Sequence, residues 1–423
     1  MTPIRSIPRA LGLDRFFRLI GPGVVTGAAD DDPSGISTYS MAGARYGFEL
    51  LWTAPFALPL MIAVQLICAR IGLATGQGLA SVLRDHYPRR LLWFATILLL
   101  VANTINIGAD LAGMGAALEL MTGVPDHLGV LLFAGVMAPV LIFASYPVIA
   151  RALKWLTLGL LAYIAAAFFA HPVWPDVLRA TILPTFEPGP DYLMTIVAIL
   201  GTTISPYLFF WQANAEVEER RAAGRAEEPA SPRAYRVAAR DVTAGMTISQ
   251  IIAFFIILTT GATLHRAGMH DIQTAAEAAK ALEPLAGRWA EALFAFGLIG
   301  TGLLGVPVLA GSAALAVAEA SGWPSGMNEP FRAAKRFYSV MAVSIVLGVV
   351  MAASEVSPIK LLFGAAVVNG VLAPPLILIV LLVGNNRRVM GERTNGKTLN
   401  VFGGLAAAVM AIAAIMMVVD AIR

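Results

Sequence analysis

The stretch Asp30-Asp31-Asp32-Pro33-Ser34-Gly35 stands midway through an apolar run near residues 19–44, and Ser205-Pro206-Tyr207 stands midway through another near 191–217. A proline inside such a run removes a backbone donor and crowds the preceding turn, so each run is expected to break into two half-helices. The breaks leave carbonyl and N–H groups without intrahelical partners. Within hydrocarbon, bare backbone of this kind persists only where it lines a cavity or binds something. Interruptions at matching places in the first and sixth runs point to a carrier built from two repeats around a central site.

Composition gives the setting. Hydrophobic residues fill 58% of the 423 positions and charged residues 13%, with a mean hydropathy of +0.74, which excludes an ordinary soluble domain. The net charge of +3 is small and the basic residues are scattered over short loops, with no nucleic-acid signature. Cys68, the single cysteine, lies in an apolar run, so an intrachain disulfide and a thiolate metal cluster are both excluded. Arg5, Arg9, Arg15 and Arg18 precede the first run as they would in a signal peptide. The three aspartates in its middle mark it instead as a retained span.

Runs long enough to cross about 30 Å of hydrocarbon, about 20 residues each, number eleven. They lie near 19–44, 50–73, 91–119, 128–146, 150–170, 191–217, 240–264, 289–318, 338–354, 358–382 and 399–421. With a cytoplasmic N-terminus, only seven of the 30 Lys and Arg residues face outward: Arg45, Arg179, Arg266, Lys280, Arg288, Lys360 and Arg423. The inward set includes Arg89-Arg90, Arg151, Lys154, Arg220-Arg221, Lys335-Arg336 and Arg387-Arg388. This bias supports an N-terminus inside, a C-terminus outside and an odd number of spans. Spans one to five open on a broken helix, as do spans six to ten. Five spans per repeat make the second repeat enter from the opposite side, with the eleventh span left over.

The expected architecture is therefore an all-α polytopic membrane protein with broken helices one and six. A cytoplasmic segment at 1–18 precedes a single transmembrane domain at 19–421, with repeat one about 19–170, repeat two about 191–382 and an extra helix at 399–421. The polar, Ala-rich stretch 219–236 reads as a flexible cytoplasmic connector.

A carboxylate at the centre of a span costs about 2.5–3.5 kcal/mol on insertion scales, so Asp32 is expected to have a partner or a task, and a cation is the simplest partner. The bland reading of Asp30 and Asp31 is that they keep a vestibule wet. Candidate ligands around Asp32 are all oxygens: its own carboxylate, the hydroxyls of Ser34, Ser37 and Ser205, and carbonyls freed near Thr202 by Pro206. Such a set suits hard cations such as Mg²⁺, Ca²⁺ or Mn²⁺. None of the five histidines falls well inside a span and neither break holds Met or Cys, which argues against soft metals. Asn103, Asn106, Gln250 and Asn369 read by default as interhelical hydrogen bonders. Asp110, being ionisable, is also a candidate for a proton or ion route, with a place at a helix interface as the alternative.

These residues resemble the NRAMP family of divalent metal transporters. Gly21-Pro22-Gly23 followed by Asp32-Pro33-Ser34-Gly35 looks like the family's first-helix block ending in Asp-Pro-Gly-Asn. Thr202-Thr203-Ile204-Ser205-Pro206-Tyr207 looks like its sixth-helix Ala-x-x-Met-Pro-His. Asp110-Leu111-Ala112 resembles the third-helix Asp-Leu-Ala-Glu, and Asn369 stands where the tenth helix usually has Gln. The resemblance implies a LeuT-like fold of eleven transmembrane helices with a 5+5 inverted repeat. It also implies that Asp32 is the metal-binding aspartate, Thr202 the carbonyl ligand and Asn369 a ligand that joins on closure, with Gly35 and Ser205 at the other two ligand positions.

The departures from the family pattern are as informative. Gly35 replaces the Asn ligand and Ser205 the Met, whose soft sulfur favours transition metals. Tyr207 replaces the His, and Gly113 the acidic residue linked to proton movement. This pattern is similar to the NRAMP-related magnesium transporters, in which a roomier site takes a partly hydrated ion and proton coupling is lost. Mg²⁺ dehydrates reluctantly and suits such a site.

The expectation is a carrier of Mg²⁺, Mn²⁺ or both, working by alternating access without strong proton coupling. Ser34, Tyr207, Asp110 and Asp31 then surround the ligands or mark the ion's route. No resident cofactor is expected. The partners are the divalent cation and the lipid bilayer, a monomer is compatible with the pattern, and the location is a cell (inner) membrane. The alternatives are a proton-coupled Mn²⁺/Fe²⁺ carrier of the same family and an amino-acid carrier of the same fold, whose anionic cargo would sit badly beside three aspartates. An enzyme would want His or Cys metal ligands in the membrane, or a serine nucleophile with a basic partner, and neither is visible.

Overall fold

The computed structural model describes residues 21–143, 161–186, 189–225, 228–327 and 329–422, and among them there is no β-strand. The segment 1–18, most of the fifth span and the division between spans four and five near Tyr146-Pro147 lie outside the described residues.

The first break forms as its chemistry dictates. Helix α1 (Pro22–Asp30) stops, Asp31 leaves helical geometry at φ −82°, ψ 52°, and α2 (Pro33–Tyr46) restarts with Asp32 as N-cap and Pro33 in its first turn. An N-cap aspartate accepts one of the orphaned amides of the new helix, and proline there surrenders an N–H that had no partner. The second break repeats the design. Helix α7 (Pro190–Thr203) ends, Ile204 turns out at φ −115°, ψ 60°, and α8 (Pro206–Ala222) begins after Ser205.

Between and after them run α3 (Thr53–Thr75), α4 (Arg89–Thr122), α5 (Asp126–Phe143) and α6 (Leu161–Phe169), then α9 (Pro232–Thr260), α10 (Ala290–Ser321), α11 (Lys335–Ala352), α12 (Pro358–Gly384) and α13 (Lys397–Ile422). Eight helical stretches among the described residues are long and apolar enough to cross a membrane, the α7–α8 pair counting as one. The α1–α2 pair, α5 and α6 fall at the first, fourth and fifth span positions. Helix α9 starts at Pro232 rather than near 240, and α8 runs on to Ala222. The connector expected over 219–236 is thus helical at both ends, 219–222 and 232–236, and Arg220 ties its turn down through the carbonyls of Leu73, at 3.2 Å, and Arg225, at 2.9 Å.

The two broken helices pack so that α1 lies against α8 and α2 against α7. Pairing the first half of one with the second half of the other is what two antiparallel broken helices must do, and it brings both breaks to one level. Helix α10 packs along α4, α9 covers α1 and α2, and α12 covers α7. The outer helices turn apolar side chains outward, among them Val350 on α11 and Val401 and Ile415 on α13. This is the inverse of a water-soluble surface and fits a lipid solvent. The chain is a multi-pass membrane protein.

Candidate functional site

Asp32 anchors the first break. Its Oδ1 accepts the Ser34 hydroxyl at 2.6 Å and the Gly35 amide at 2.9 Å. Its Oδ2 lies 3.2 Å from the Tyr207 hydroxyl, which also donates to the Ala29 carbonyl at 2.9 Å. One carboxylate therefore caps α2 and reaches across to α8. At the second break the Ser205 hydroxyl folds back on carbonyls that the broken helix frees, Thr202 O at 2.7 Å and Gly201 O at 3.0 Å. The Thr202 hydroxyl is 3.5 Å from that of Ser34, which joins the two breaks. Close approach is possible because position 35 is glycine: a Cβ there would lie 3.2 Å from Thr202 Oγ1.

The expected residues are thus sorted. Asp32, Ser34, Gly35, Thr202, Ser205 and Tyr207 come together at the paired breaks. Gly35 contributes an N–H to Asp32. Asp31 turns toward α9, where the Ser249 hydroxyl lies 3.1 Å from Asp31 Oδ1 and 2.7 Å from Asp30 Oδ2. Asn369 is held in a reciprocal amide pair with Asn106, at 2.8 and 3.1 Å, so it reaches an ion only by releasing that pair. Ser37, named as a candidate oxygen, instead faces the Ile359 carbonyl on α12 at 3.3 Å. Ser249 carried no signal in the sequence, since a serine in an apolar helix usually serves packing or an i−4 carbonyl.

Asp31, Asp32, Ser34, Asp110, Thr202, Ser205, Tyr207 and Asn369 are each 2% exposed or less, so the site is buried. Asp30, Asp31, Asp32 and Asp110 are all buried, and none joins a salt bridge among the described residues. Carboxylates without a cationic side chain in a low-dielectric interior call for a bound proton or a bound cation. Among the described residues no group of three or more His, Cys, Asp or Glu side chains is arranged as a metal cage. What the breaks provide is one central carboxylate with hydroxyl and carbonyl oxygens, a set suited to a hard cation that keeps part of its water.

Two further features frame the centre. The N-terminus of α1 is clamped by Asp241 of α9, which accepts the Gly21 amide at 3.0 Å and the Gly23 amide at 2.6 Å. Thr26 of α1 donates to Gln212 Oε1 of α8 at 2.6 Å, and Gln212 donates to Glu216 at 3.0 Å. At the other end of the bundle, a cavity of about 580 Å³ is lined by Tyr46, Gly47, Glu49, Asp176, Arg179 and His265 among others.

Comparison with known proteins agrees with this architecture. The family model described as natural resistance-associated macrophage protein-like matches residues 23–420. A divalent metal cation transporter MntH of Yersinia pestis (strain Pestoides F) is 30% identical over 404 residues, covering 92% of this chain and 91% of that one. A protein of the same name from Erwinia tasmaniensis is 30% identical over 313 residues, covering 72% and 73%. Among solved structures, the manganese transporter of Eremococcus coleocola in complex with an aromatic bis-isothiourea compound has a TM-score of 0.79 at 17% identity, covering 97% of this chain and 88% of that one. Mhp1, a nucleobase-cation-symport-1 family transporter in a closed conformation, has a TM-score of 0.57 at 15% identity, covering 95% and 90%. At these identities the structural likeness is one of fold, that of the LeuT-like carriers.

Proposed function

This chain belongs to the NRAMP family, whose matched members here are transporters rather than enzymes, and from that premise we propose that it moves a divalent cation, Mg²⁺ or Mn²⁺ or both, across a membrane by alternating access. The observation that carries the reading is Asp32: a buried carboxylate at the junction of two paired helix breaks, surrounded by oxygen atoms and in no salt bridge among the described residues. The ligands are the Asp32 carboxylate, the freed carbonyl of Thr202 and the Ser205 hydroxyl, with Asn369 joining after it leaves Asn106, while Gly35, which has no side chain to offer, donates its amide to Asp32. Ser34 and Tyr207 hold Asp32 in place, and Asp31 adds negative potential. The relatives' printed names, a divalent metal cation transporter and a manganese transporter, support the cargo class.

The absence of Met and Cys from the two breaks supports a hard ion. With Ser205 in place of Met, no donor at the breaks prefers Mn²⁺ over Mg²⁺ strongly. Weak or absent proton coupling is supported at Gly113, where a Cβ would lie 2.9 Å from Leu362 Cδ1. An apolar side chain therefore fills the space beside the position at which relatives of the resembled family carry an acid. The proton-coupled Mn²⁺/Fe²⁺ reading draws on the buried Asp110, while an anionic amino-acid cargo is disfavoured by four buried carboxylates.

In this reading the N-terminus lies inside an inner cell membrane and the monomer is the working unit. The test is uptake of Mg²⁺ and Mn²⁺ into proteoliposomes. Asp32→Ala is expected to abolish uptake of both while the protein stays monodisperse and folded. Wild-type rates in a folded Asp32→Ala protein would overturn the proposal.

A further inference from the structure

Asp110 sits on α4, 0% exposed, its carboxylate turned to the Ser34 amide of α2 and engaged by no side chain among the described residues. One loosely held amide leaves most of the acceptor capacity of a buried carboxylate unused, which is expensive unless a further donor is present. Beside it, α10 presents Gly305. A Cβ on Gly305 would lie 3.3 Å from Asp110 Oδ2 and 3.2 Å from Asp32 Cβ. One turn away, a Cβ on Gly302 would lie 3.2 Å from Pro33 Cγ. Helix α10 thus brings bare backbone against the first break, and the Asp32 Cβ and an Asp110 carboxylate oxygen flank the space that a side chain at 305 would take.

The geometry points to an outer-sphere wall of the ion site: we infer that Asp110 accepts hydrogen bonds from water on the bound cation and that Gly305 leaves room for that water. The inference rests on the reading of Asp32 as the cation's ligand. Mg²⁺ keeps several waters when bound, and those waters are strong donors that need acceptors. Asp32 Oδ1 already takes two protein donors and Asp32 Oδ2 faces Tyr207. The oxygens of Asp110, which no described side chain engages, add acceptors beside that break. Asp110 and Gly305 therefore discriminate in favour of an ion that stays hydrated.

The experiment is calorimetric titration of the full-length purified protein with MgCl₂ and with MnCl₂. The variants are Asp110→Asn, which is isosteric, Gly305→Ala and Asp32→Ala, each checked for monodispersity and metal-free thermal stability. Outer-sphere partners of a metal are worth about 10–100-fold in affinity. Asp110→Asn is therefore expected to weaken Mg²⁺ about tenfold or more, with a smaller loss for Mn²⁺. Gly305→Ala is expected to shift the preference in the same direction. Wild-type affinities in both variants, or an equal loss for the two ions, would overturn the inference while leaving the proposed function intact, provided that Asp32→Ala abolishes binding. Binding retained in Asp32→Ala would instead remove the premise. If Gly305→Ala fails to fold, Asp110→Asn alone decides.

Discussion

In the proposed function, two single positions set what the centre prefers. Ser205 spends its hydroxyl on the Gly201 and Thr202 carbonyls, so it both offers oxygen and occupies the backbone that would face an ion. Ser205→Met would remove that hydrogen bonding and bring a thioether to the break. The expected outcome is a gain of Cd²⁺ binding of about tenfold or more with a loss for Mg²⁺, since soft ligands select soft metals. Calorimetry with CdCl₂ checks it, and unchanged Cd²⁺ affinity would show that position 205 does not face the ion. Gly113 makes the second point. With Leu362 against it, no acid stands beside Asp110 on α4 to pass a proton onward. Metal uptake into proteoliposomes is expected to leave a trapped pH-sensitive dye unchanged, and acidification inside would contradict that.

At the scale of elements, the informative piece is α1, nine residues long. A helix this short has little stability of its own, so it is held by what it touches. Asp241 binds its first amides, and the glycines at 23 and 27 press against α9. A Cβ on Gly27 would lie 2.8 Å from Gly245 Cα, and one on Gly245 would lie 2.9 Å from Val24 Cα. Small residues allow that approach, and in lipid close packing of this kind is a main source of helix association. Gly27→Ala is expected to destabilise the protein by about 1–3 kcal/mol, as overpacking does. Asp241→Ala is expected to lose about 0.5–2 kcal/mol, as for other lost caps. Both are read as lowered melting temperature in detergent, and unchanged melting in both would mean that the seam does not hold α1.

The whole molecule places its basic residues unevenly, and that asymmetry is its most direct handle on orientation. Arg266, after α9, and Arg332, before α11, are both exposed and belong to opposite faces in the proposed topology. In a Cys68→Ala background, Arg266→Cys is expected to react with a membrane-impermeant maleimide on intact cells and Arg332→Cys to react only after lysis. The reverse pattern would invert the topology. Cys68 itself is buried in α3 and free, so removing it clears the background at the cost of one small packed side chain.

The sequence by itself determined the architecture, because hydrocarbon imposes it. Length and hydropathy mark the spans, and Pro33 and Pro206 mark the breaks, since a missing N–H is a local property of the chain. Asp32 was legible for the same reason: a carboxylate inside a span demands a task wherever it folds. What only the tertiary structure decided is which polar groups meet. Ser37 and Ser34 look alike in sequence, yet one faces Ile359 and the other Asp32. Asn369 reads by itself as an interhelical hydrogen bonder and by resemblance as a ligand that joins on closure, and only the fold names Asn106 as its partner. Ser249, Asp241 and Gly305 carried no mark at all, because a serine, a helix-end aspartate and a glycine acquire meaning only from the helix packed against them. Such contacts join residues up to about three hundred positions apart, and the rotation of one helix against another, which no local pattern encodes, fixes them.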